Sequence, residues 1–358
     1  MFGFDIGTTR CKVATVDRSG KPTIISNARG EQTTPSAVYR SATGEILIGT
    51  DAREQGIVDP ARFTCNFKLD LGGTENLFGD RPTFTPTDAT AALVAALKQD
   101  AEKSTGIQVV EAVATCPANF RDDAKQALLE AFERNGIKVL RLVPEPTAAG
   151  YAYALNRGGG TGVYLIYDFG GGTFDVSVIK REGDQFTVLA TEGVPTLGGN
   201  DLSRCIEERV LDEVASACGQ RPVRQSDGLF FLDLDQRIDT AKCSLGKQKE
   251  VPIVVAHQGH QVVVKMTQEE FHAAVEPLVR QTLEATDRAV AGSGLSFDRV
   301  DRLVMVGGSS RLPFVQERVA DHTGLVPRAD IDPEKAIAYG AALACVAEMA
   351  RQGKAATI

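Results

Sequence analysis

The sequence predicts an α/β protein of two similar lobes, because three internal repeats occur twice in the same order. The first is an apolar strand that ends in Asp, a Gly/Thr turn and a returning β-branched strand, at residues 2–16 and 164–179. The second is a buried strand before a helix, at 112–135 and 303–323. The third is a Pro-initiated, Ala-rich helix, at 145–152 and 332–342. Three ordered repeats indicate a duplication.

Each lobe has the predicted order β-β-β-α-β-α. The third strands are predicted at residues 22–26 and 186–191, and the first helices at 121–135 and 312–323. Lobe I is expected to contain residues 1–162 and 340–358, with an insertion at about 35–109, and lobe II residues 163–339, with an insertion at about 203–275. Because the repeated turns face each other, a ligand cleft is expected between the lobes.

Composition and charge exclude several classes of function. The chain is 43% hydrophobic and 24% charged, as folded globular proteins are, and its net charge of −8 argues against nucleic-acid and anionic-membrane binding. No apolar run approaches the roughly 20 residues of a membrane helix, and the N-terminus has no signal-peptide pattern. The seven cysteines form no CxxC pair, which favours reduced thiols and a cytoplasmic location over a disulfide or zinc framework.

The turn at residues 168–173 is the strongest local signal for chemistry. It reads Asp-Phe-Gly-Gly-Gly-Thr directly after an apolar strand. Three successive glycines let backbone N–H groups approach an anion without obstruction from a Cβ atom. Thr173 adds a hydroxyl donor, Asp168 can hold a hydrated magnesium ion, and Asp175 follows on the returning strand. The alternative is a tight hairpin that binds nothing.

The turn at residues 5–9 repeats this chemistry in the first lobe. Asp5 supplies a second carboxylate, and Thr8 and Thr9 offer hydroxyls and backbone amides for the β- and γ-phosphates. Alone, the Asp-x-Gly-Thr run is a weak signal, since unrelated turns contain it. Paired with the Asp168 turn across a predicted cleft, it indicates a site for phosphate and magnesium.

Three other patterns have plainer interpretations. Asp168-Phe169-Gly170 matches the magnesium motif of protein kinases, but the chain has neither a His-Arg-Asp catalytic loop nor a GxxxxGK[ST] phosphate loop. The glycine-rich run at 156–162 is interpreted as a flexible loop between the halves. The run at 257–260, His-Gln-Gly-His, lacks further metal ligands and is predicted to be a turn between strands.

These motifs together resemble those of the nucleotide-binding domain of DnaK-type, seventy-kilodalton heat-shock chaperones. The resemblance covers essentially the whole chain and rests on residues 5–9, 32–36, 117–120, 145–149, 168–175, 197–201, 306–311 and 338–342. It implies the actin-like ATPase fold, with two ribonuclease-H-like lobes and a nucleotide cleft between them. It further implies that the cleft binds ATP or ADP with Mg²⁺, and K⁺ as a second cation, and hydrolyses ATP to ADP and phosphate.

The resemblance assigns catalytic and metal-binding roles position by position. Asp5 and Asp168 resemble the carboxylates that orient hydrated magnesium. Lys68 resembles the catalytic lysine that reaches the γ-phosphate and the attacking water; without the resemblance it would be interpreted as a surface lysine. Glu145 and Asp175 resemble the carboxylates that position the water and the cations. Glu145 also has a plain structural interpretation, since an acidic residue at the start of a helix stabilises the helix dipole.

The resemblance also assigns the contacts to the nucleotide. Thr173 corresponds to a hydroxyl beside the γ-phosphate, and Arg311 to a side chain that lies against the adenine. The residues expected to contact the nucleotide are Gly7, Thr8, Thr9, Gly170, Gly171, Gly172, Gly198, Gly199, Asp239, Lys242, Gly307, Gly308, Ser309, Arg311 and Glu334.

The segment that matches the family's adenine-binding helix departs from its pattern. Many members have Glu, Lys, Arg and Ser there, whereas this chain has Asp239, Lys242, Cys243 and Gly246. Arg311 therefore loses its stacking partner on the other side of the adenine. We expect weaker adenine affinity or looser base selectivity than in typical members.

The resemblance also implies partners and leaves two other functions open. Pro117 and Arg141 match positions that couple nucleotide state to a linker and a J-domain co-chaperone; a nucleotide-exchange factor is also implied. Unfolded clients would bind only through a separate peptide-binding domain, which this sequence lacks. We therefore expect the sequence to be either an excised domain or a short relative of the family. The alternatives are a filament-forming ATPase of the actin and MreB type and a sugar-kinase-like phosphotransferase, for which no acceptor-binding loop is found.

Overall fold

The fold is described from a computed structural model that covers residues 1–17, 19–79, 82–154, 161–183, 185–328 and 331–353. The strands are β1 (Phe2–Ile6), β2 (Arg10–Val16), β3 (Pro22–Ile25), β4 (Thr34–Pro35), β5 (Ala37–Arg40), β6 (Ile46–Ile48), β7 (Phe63–Cys65), β8 (Glu111–Cys116), β9 (Lys138–Pro144), β10 (Thr161–Phe169), β11 (Phe174–Glu182), β12 (Gln185–Val194), β13 (Glu250–His257), β14 (His260–Thr267), β15 (Arg302–Val306) and β16 (Pro327–Arg328). The helices are α1 (Gly49–Val58), α2 (Pro86–Thr105), α3 (Asp122–Glu133), α4 (Glu145–Ala154), α5 (Gly199–Cys218), α6 (Gly228–Leu245), α7 (Gln268–Gly292), α8 (Pro313–Thr323) and α9 (Ala336–Arg351).

Two mixed sheets with the same strand order form the frame of the molecule. The first has the order β3-β2-β1-β8-β9, with β4 paired to β2, and the second has the order β12-β11-β10-β15-β16. In both sheets the first two strands pair antiparallel and the strand after the intervening segment joins in parallel, as β1 with β8 and β10 with β15. This equivalence confirms the duplicated strand order predicted from the three repeats.

The two predicted insertions carry structure of their own. In the first half, the sheet β6-β5-β7 packs with α1, and α2 follows it. The N-terminus of α2 is fixed by a capping box, in which Asp88 N donates to Thr85 Oγ1 and Thr85 N donates to Asp88 Oδ2. In the second half, α5 and α6 pack against the β13–β14 hairpin.

Helices α4 and α9 cross in close contact between the two sheets. A methyl group at Gly340 would lie 1.7 Å from the carbonyl oxygen of Ala148, so the crossing requires a residue without a side chain. The core around this crossing joins apolar residues of both sheets, such as Val113 of β8, Ile166 of β10 and Val304 of β15. The two halves therefore share one buried apolar cluster beneath the cleft.

Most predicted elements are confirmed, with one corrected boundary. The repeat at 332–342 was expected to start a helix at its proline, but α9 begins at Ala336. Residues Pro333, Glu334 and Lys335 form a turn instead, in which Lys335 N donates to Asp332 O and Gly307 N donates to Pro333 O. This turn brings the segment before α9 to the end of β15.

Two other predicted loops have different outcomes. The run at 257–260 is confirmed as the turn of the β13–β14 hairpin, where Gln258 and Gly259 have φ of 49° and 79°. Of the glycine-rich run, residues 156–160 lie outside the described residues, and Thr161 and Gly162 begin β10.

No helix in the described part of the chain is both long and apolar enough to cross a membrane.

Candidate functional site

A cleft of about 800 Å³ lies between the two halves, at the carboxyl ends of β1 and β10. The turn that follows β1 and the turn that follows β10 meet there. A methyl group at Gly171 would lie 2.5 Å from Thr9 Oγ1 and one at Gly172 would lie 3.5 Å from Thr8 Cγ2, so the two turns are in direct contact. The duplication therefore brings the two predicted phosphate turns together.

The cleft is lined by every predicted site residue except Gly198. These residues are Asp5, Gly7, Thr8, Thr9, Lys68, Glu145, Asp168, Gly170, Gly171, Gly172, Thr173, Asp175, Gly199, Asp239, Lys242, Gly307, Gly308, Ser309, Arg311 and Glu334. Gly198 instead lies behind the glycine turn as the N-cap of α5, where a methyl group would be 2.4 Å from the Gly171 carbonyl. Its place is structural, because it lets α5 approach the turn.

Asp5, Glu145, Asp168 and Asp175 meet in the cleft, where the charge of Glu145 disfavours the ionisation of the three aspartates. Burial raises the pKa of Asp5, although Lys12 acts in the opposite direction. Burial, then the charges of Glu145 and Asp175, raises the pKa of Asp168 well above its ordinary value. Burial and the charge of Glu145 raise the pKa of Asp175 to about 7. Such a desolvated acidic cluster is stabilised by a cation.

Lys68 supplies one positive charge to this cluster. It lies in a 3₁₀ helix at Phe67–Asp70, directly after Asn66, whose φ of 59° is left-handed. Its Nζ donates a 2.8 Å hydrogen bond to Glu145 Oε1, and the two side chains are only 5% and 12% exposed. Burial lowers the pKa of the Lys68 ammonium, but the neighbouring carboxylates outweigh that effect and raise it, so the lysine stays charged. The interpretation of Lys68 as a solvated surface lysine is therefore wrong.

Four backbone amides in the two turns that line the cleft are without protein partners among the described residues. Gly170 N donates to Thr173 O and closes the glycine turn. Within the described residues, no hydrogen bond to the protein comes from the backbone amides of Thr8, Thr9, Gly171 and Gly172. Free amides at glycine-rich turns form a concave site for phosphate oxygens.

The turn after β15 forms a third wall. Gly307 has a φ of +85°, and a methyl group there would lie 2.4 Å from Phe169 O, so only glycine fits. Ser309 Oγ donates to Gly170 O at 2.8 Å and connects this wall to the glycine turn. A methyl group at Gly308 would lie 2.9 Å from Glu334 Oε1, which brings Glu334 to the same wall.

Helix α6 and Arg311 line one end of the cleft. Lys242 Nζ donates to Ser203 Oγ at 2.7 Å and forms an ion pair with Asp239 at 3.1 Å. Arg311 lies 3.6 Å from Glu334 in an exposed ion pair. Cys243 and Gly246 also line this end, so α6 presents a small side chain and bare backbone there.

The donor set fits a hydrated magnesium ion better than a dehydrated metal. Among the described residues, no group of three His, Cys, Asp or Glu side chains is placed to ligate one ion. Asp5 is buried and Asp168 partly buried at the cleft, and desolvation raises the pKa of both, so a cation bound beside them would favour their ionised forms. Magnesium keeps several waters and uses few carboxylates, so these two residues suffice.

Some cleft residues were not predicted. Arg10, Arg53 and Lys247 line it, and Phe120, which the sequence motif included without a role, lies with its ring 5.7 Å from Lys68 Nζ. The charge of Arg10 contributes to a lowered pKa of Arg53, after the larger effect of burial. No motif contains Arg53 or Lys247, since only the packing of the insertions brings them to the cleft.

The duplicated α/β frame, the free amides and the acidic cluster define a class of protein: an α/β protein with two similar sheets and, between them, a cleft whose chemistry suits phosphate. The family is more specific. A family model described as Hsp70 protein matches residues 1–77 and 74–354. The chain belongs to the Hsp70 family, and the matched region is consistent with the family's nucleotide-binding domain. Membership implies an actin-like fold and the ATPase domain of an Hsp70 chaperone.

Proposed function

We propose that the chain binds Mg²⁺-ATP in this cleft, hydrolyses it to ADP and phosphate, and uses the resulting closure of its lobes as the motor of a protein-folding chaperone. The observation that carries the proposal is the position of buried Lys68 among four carboxylates of the cleft, directly beside the free amides of two facing turns. Phosphoryl transfer to water depends mainly on charge neutralisation and positioning, which such a cluster supplies.

The residues of the cleft divide into binding and catalytic groups. The amides of Thr8, Thr9 and the glycine turn would bind the β- and γ-phosphates. Asp5 and Asp168 would hold magnesium through its waters, and the ion, when bound, neutralises and orients the phosphate oxygens. The nucleoside would extend towards α6 and Arg311.

The catalytic residues act on the attacking water. Lys68 would neutralise charge on the transferred phosphoryl group, and Glu145 orients Lys68 and accepts a hydrogen bond from the water. Asp175, whose pKa is about 7, is suited to accept a proton near neutral pH. Thr173 hydrogen-bonds Asp175 and favours its ionised form.

We further propose that the boundaries between the lobes fall at residues 162/163 and 339/340. Closure would be relayed to a peptide-binding domain, and a J-domain co-chaperone and an exchange factor would act on the cycle. The shared core at the α4–α9 crossing, where Gly340 contacts Ala148, supports a hinge there because it is the place where both sheets meet. Arg141 lies on β9, the edge strand of the first sheet, where a linker or co-chaperone can reach it.

The proposal is tested by single-turnover hydrolysis of ATP with and without magnesium, for the wild type and for Asp168→Asn. We expect magnesium-dependent hydrolysis in the wild type and a loss of roughly 100-fold or more in the variant. Exposed Asp233→Asn is the matched control. Equal rates in all three proteins contradict the site. A many-fold acceleration by a small hydroxylated acceptor supports a phosphotransferase instead, and ATP-dependent light scattering supports a filament.

A further inference from the structure

Lys12 is a charged residue of the cleft that has no part in the proposed binding of the nucleotide. It lies on β2, shortly after the turn that contains Thr9, and it is half-buried where it lines the cleft. Within the described residues, its ammonium group forms neither a hydrogen bond nor an ion pair. A lysine that is taken partly out of water without a direct partner is costly, so the contacts of the fold do not explain it.

The first sheet places Lys12 directly opposite Asp5. The two residues are Cα partners in the antiparallel pair of β1 and β2. Residues directly opposite each other in such a pair point to the same face of the sheet, with Cβ atoms about 5 Å apart. Gly3 identifies this face, since it is two residues before Asp5 and a methyl group on it would lie 2.1 Å from the backbone nitrogen of Ala342 in α9. Asp5 and Lys12 therefore share the α9 face of the sheet, and both line the cleft.

The charge of Lys12 acts on Asp5. It lowers the pKa of Asp5 against the larger, opposite effect of burial, and its effect on Asp5 exceeds that of Lys68. Lys68 instead forms its direct ion pair with Glu145, at 2.8 Å. The acidic cluster thus has two cations: Lys68, which is paired with Glu145, and Lys12, which is opposite Asp5.

This second lysine changes the number of dissolved cations that the cleft requires. When the four carboxylates of the cluster are ionised, Lys68 and Lys12 leave two negative charges, which one magnesium ion neutralises. The resemblance implies potassium as a further cation. A potassium ion beside Asp5 would be repelled by the ammonium group of Lys12 and would compete with it for the same carboxylate. The surroundings of Asp5 therefore do not fit a dissolved potassium ion.

We infer that the Lys12 ammonium group is a fixed monovalent cation of the site, so that binding and hydrolysis of the Mg²⁺-nucleotide do not depend on dissolved potassium. This inference rests on the proposed function. Lys12 is a positioning residue that acts through Asp5, because it favours the ionised form of Asp5, the form that holds hydrated magnesium. A cation that belongs to the chain loses no translational freedom when the site forms.

The test compares monovalent cations at constant ionic strength, with magnesium present. The affinity for ADP is measured by calorimetry and the single-turnover hydrolysis of ATP by acid quench, on the full chain, in potassium chloride and in tetramethylammonium chloride. The tetramethylammonium ion is too bulky to be coordinated by a carboxylate. Lys12→Ala removes the charge and leaves room for an ion, whereas Lys12→Arg keeps the charge. The matched control is Lys103→Ala, because Lys103 is exposed and does not line the cleft.

We expect the exchange of the two salts to change the ADP affinity and the hydrolysis rate by less than about 2-fold in the wild type, Lys12→Arg and Lys103→Ala. Lys12→Ala should lose about 10-fold in ADP affinity in tetramethylammonium chloride, and potassium should restore most of that loss.

Three results contradict the inference. A wild-type protein whose ADP affinity rises about 5-fold or more with potassium overturns it without any variant. A loss in Lys12→Ala that potassium does not restore, or no loss at all, shows that Lys12 is not the cation of the site. No binding of Mg²⁺-ADP by the wild type in either salt contradicts the proposed function, and the inference with it.

Discussion

Lys68 and Glu145, 77 positions apart in the chain, form a buried 2.8 Å ion pair at the bottom of the cleft. The two partners have opposite effects on the neighbouring carboxylates. Lys68 also faces Asp5 and lowers the pKa values of Asp168 and Asp175, whereas Glu145 raises the pKa values of both aspartates. One cation thus compensates several carboxylates. The two partners should therefore contribute very differently to folding.

Replacing the two partners tests this asymmetry. Lys68→Met removes the cation that acts on Glu145, Asp168 and Asp175 and should lower the free energy of unfolding by about 3 kcal/mol, as the loss of one partner of a buried pair does. Glu145→Gln should lower the free energy of unfolding by a smaller amount, because Lys68 keeps the other carboxylates as partners. Urea unfolding of the nucleotide-free protein measures both. Equal losses, or a larger loss for Glu145→Gln, contradict the unequal pair.

The raised pKa of Asp175 predicts how the stability of the fold depends on pH. Its folded pKa of about 7 lies above the ordinary value, so between about pH 4 and pH 7 the folded state holds a proton that the unfolded state has lost. Stability from this group therefore falls as pH rises through that window. The penalty is largest above pH 7, at up to about 4 kcal/mol, since one pKa unit corresponds to about 1.4 kcal/mol.

Asp175→Asn should remove that penalty. Without magnesium or nucleotide, the variant should be more stable than the wild type at pH 8, and the difference should shrink towards pH 4.5. The control is Asp298→Asn, because Asp298 is an exposed carboxylate that does not line the cleft. Parallel stability curves for the wild type and Asp175→Asn between pH 4.5 and 8 are the result that rules out a raised pKa at Asp175.

The α4–α9 crossing predicts a strong effect of a single methyl group. Gly340→Ala places a Cβ 1.7 Å from the Ala148 carbonyl oxygen, which forces the helices apart and should cost on the order of 3 kcal/mol or more. Gly292→Ala is the matched control in α7, since its Cβ would lie 3.7 Å from Ala190 Cβ. The control should be neutral or slightly stabilising. Thermal unfolding that shows equal shifts for both variants contradicts the close crossing.

The composition of α6 predicts weak recognition of the base. Cys243 and Gly246 give Arg311 no stacking partner, so ATP should bind more weakly than nanomolar and discrimination against GTP should be modest. Gly246→Ser should improve the preference for ATP several-fold; its Cβ would lie 3.1 Å from Pro313 Cδ, which requires only a small shift. Calorimetric titration with both nucleotides checks this. Nanomolar ATP affinity in the wild type would show that other contacts hold the adenine.

The features that could be predicted from sequence are those with local causes. The strands around Asp5 and Asp168, their turns and the helix at Glu145 follow from periodicity and turn residues, so all were found. The start of α9 was predicted too early because a proline such as Pro333 suits the first turn of a helix. In the structure, the Pro333 carbonyl oxygen instead accepts a tertiary hydrogen bond from Gly307 N.

Features caused by distant packing could not be predicted. Nothing near Lys68 in sequence indicates burial; the packing of its 3₁₀ helix against α2 removes it from water, so the resemblance alone identified it. Arg53 lies in an insertion that carries no phosphate motif. Gly198 was expected in the cleft from the resemblance, whereas the structure places it behind the glycine turn as the N-cap of α5.

The most direct test of the central claim is the single-turnover rate of ATP hydrolysis in Lys68→Ala, with ATP affinity measured on the same protein. The account predicts a rate loss of about 100-fold or more with nucleotide binding retained within about 10-fold, because Lys68 acts on the transferred phosphoryl group while the turn amides bind the phosphates. Exposed Lys125→Ala should match the wild type. A Lys68→Ala protein that folds, binds ATP and hydrolyses it at the wild-type rate would contradict the account.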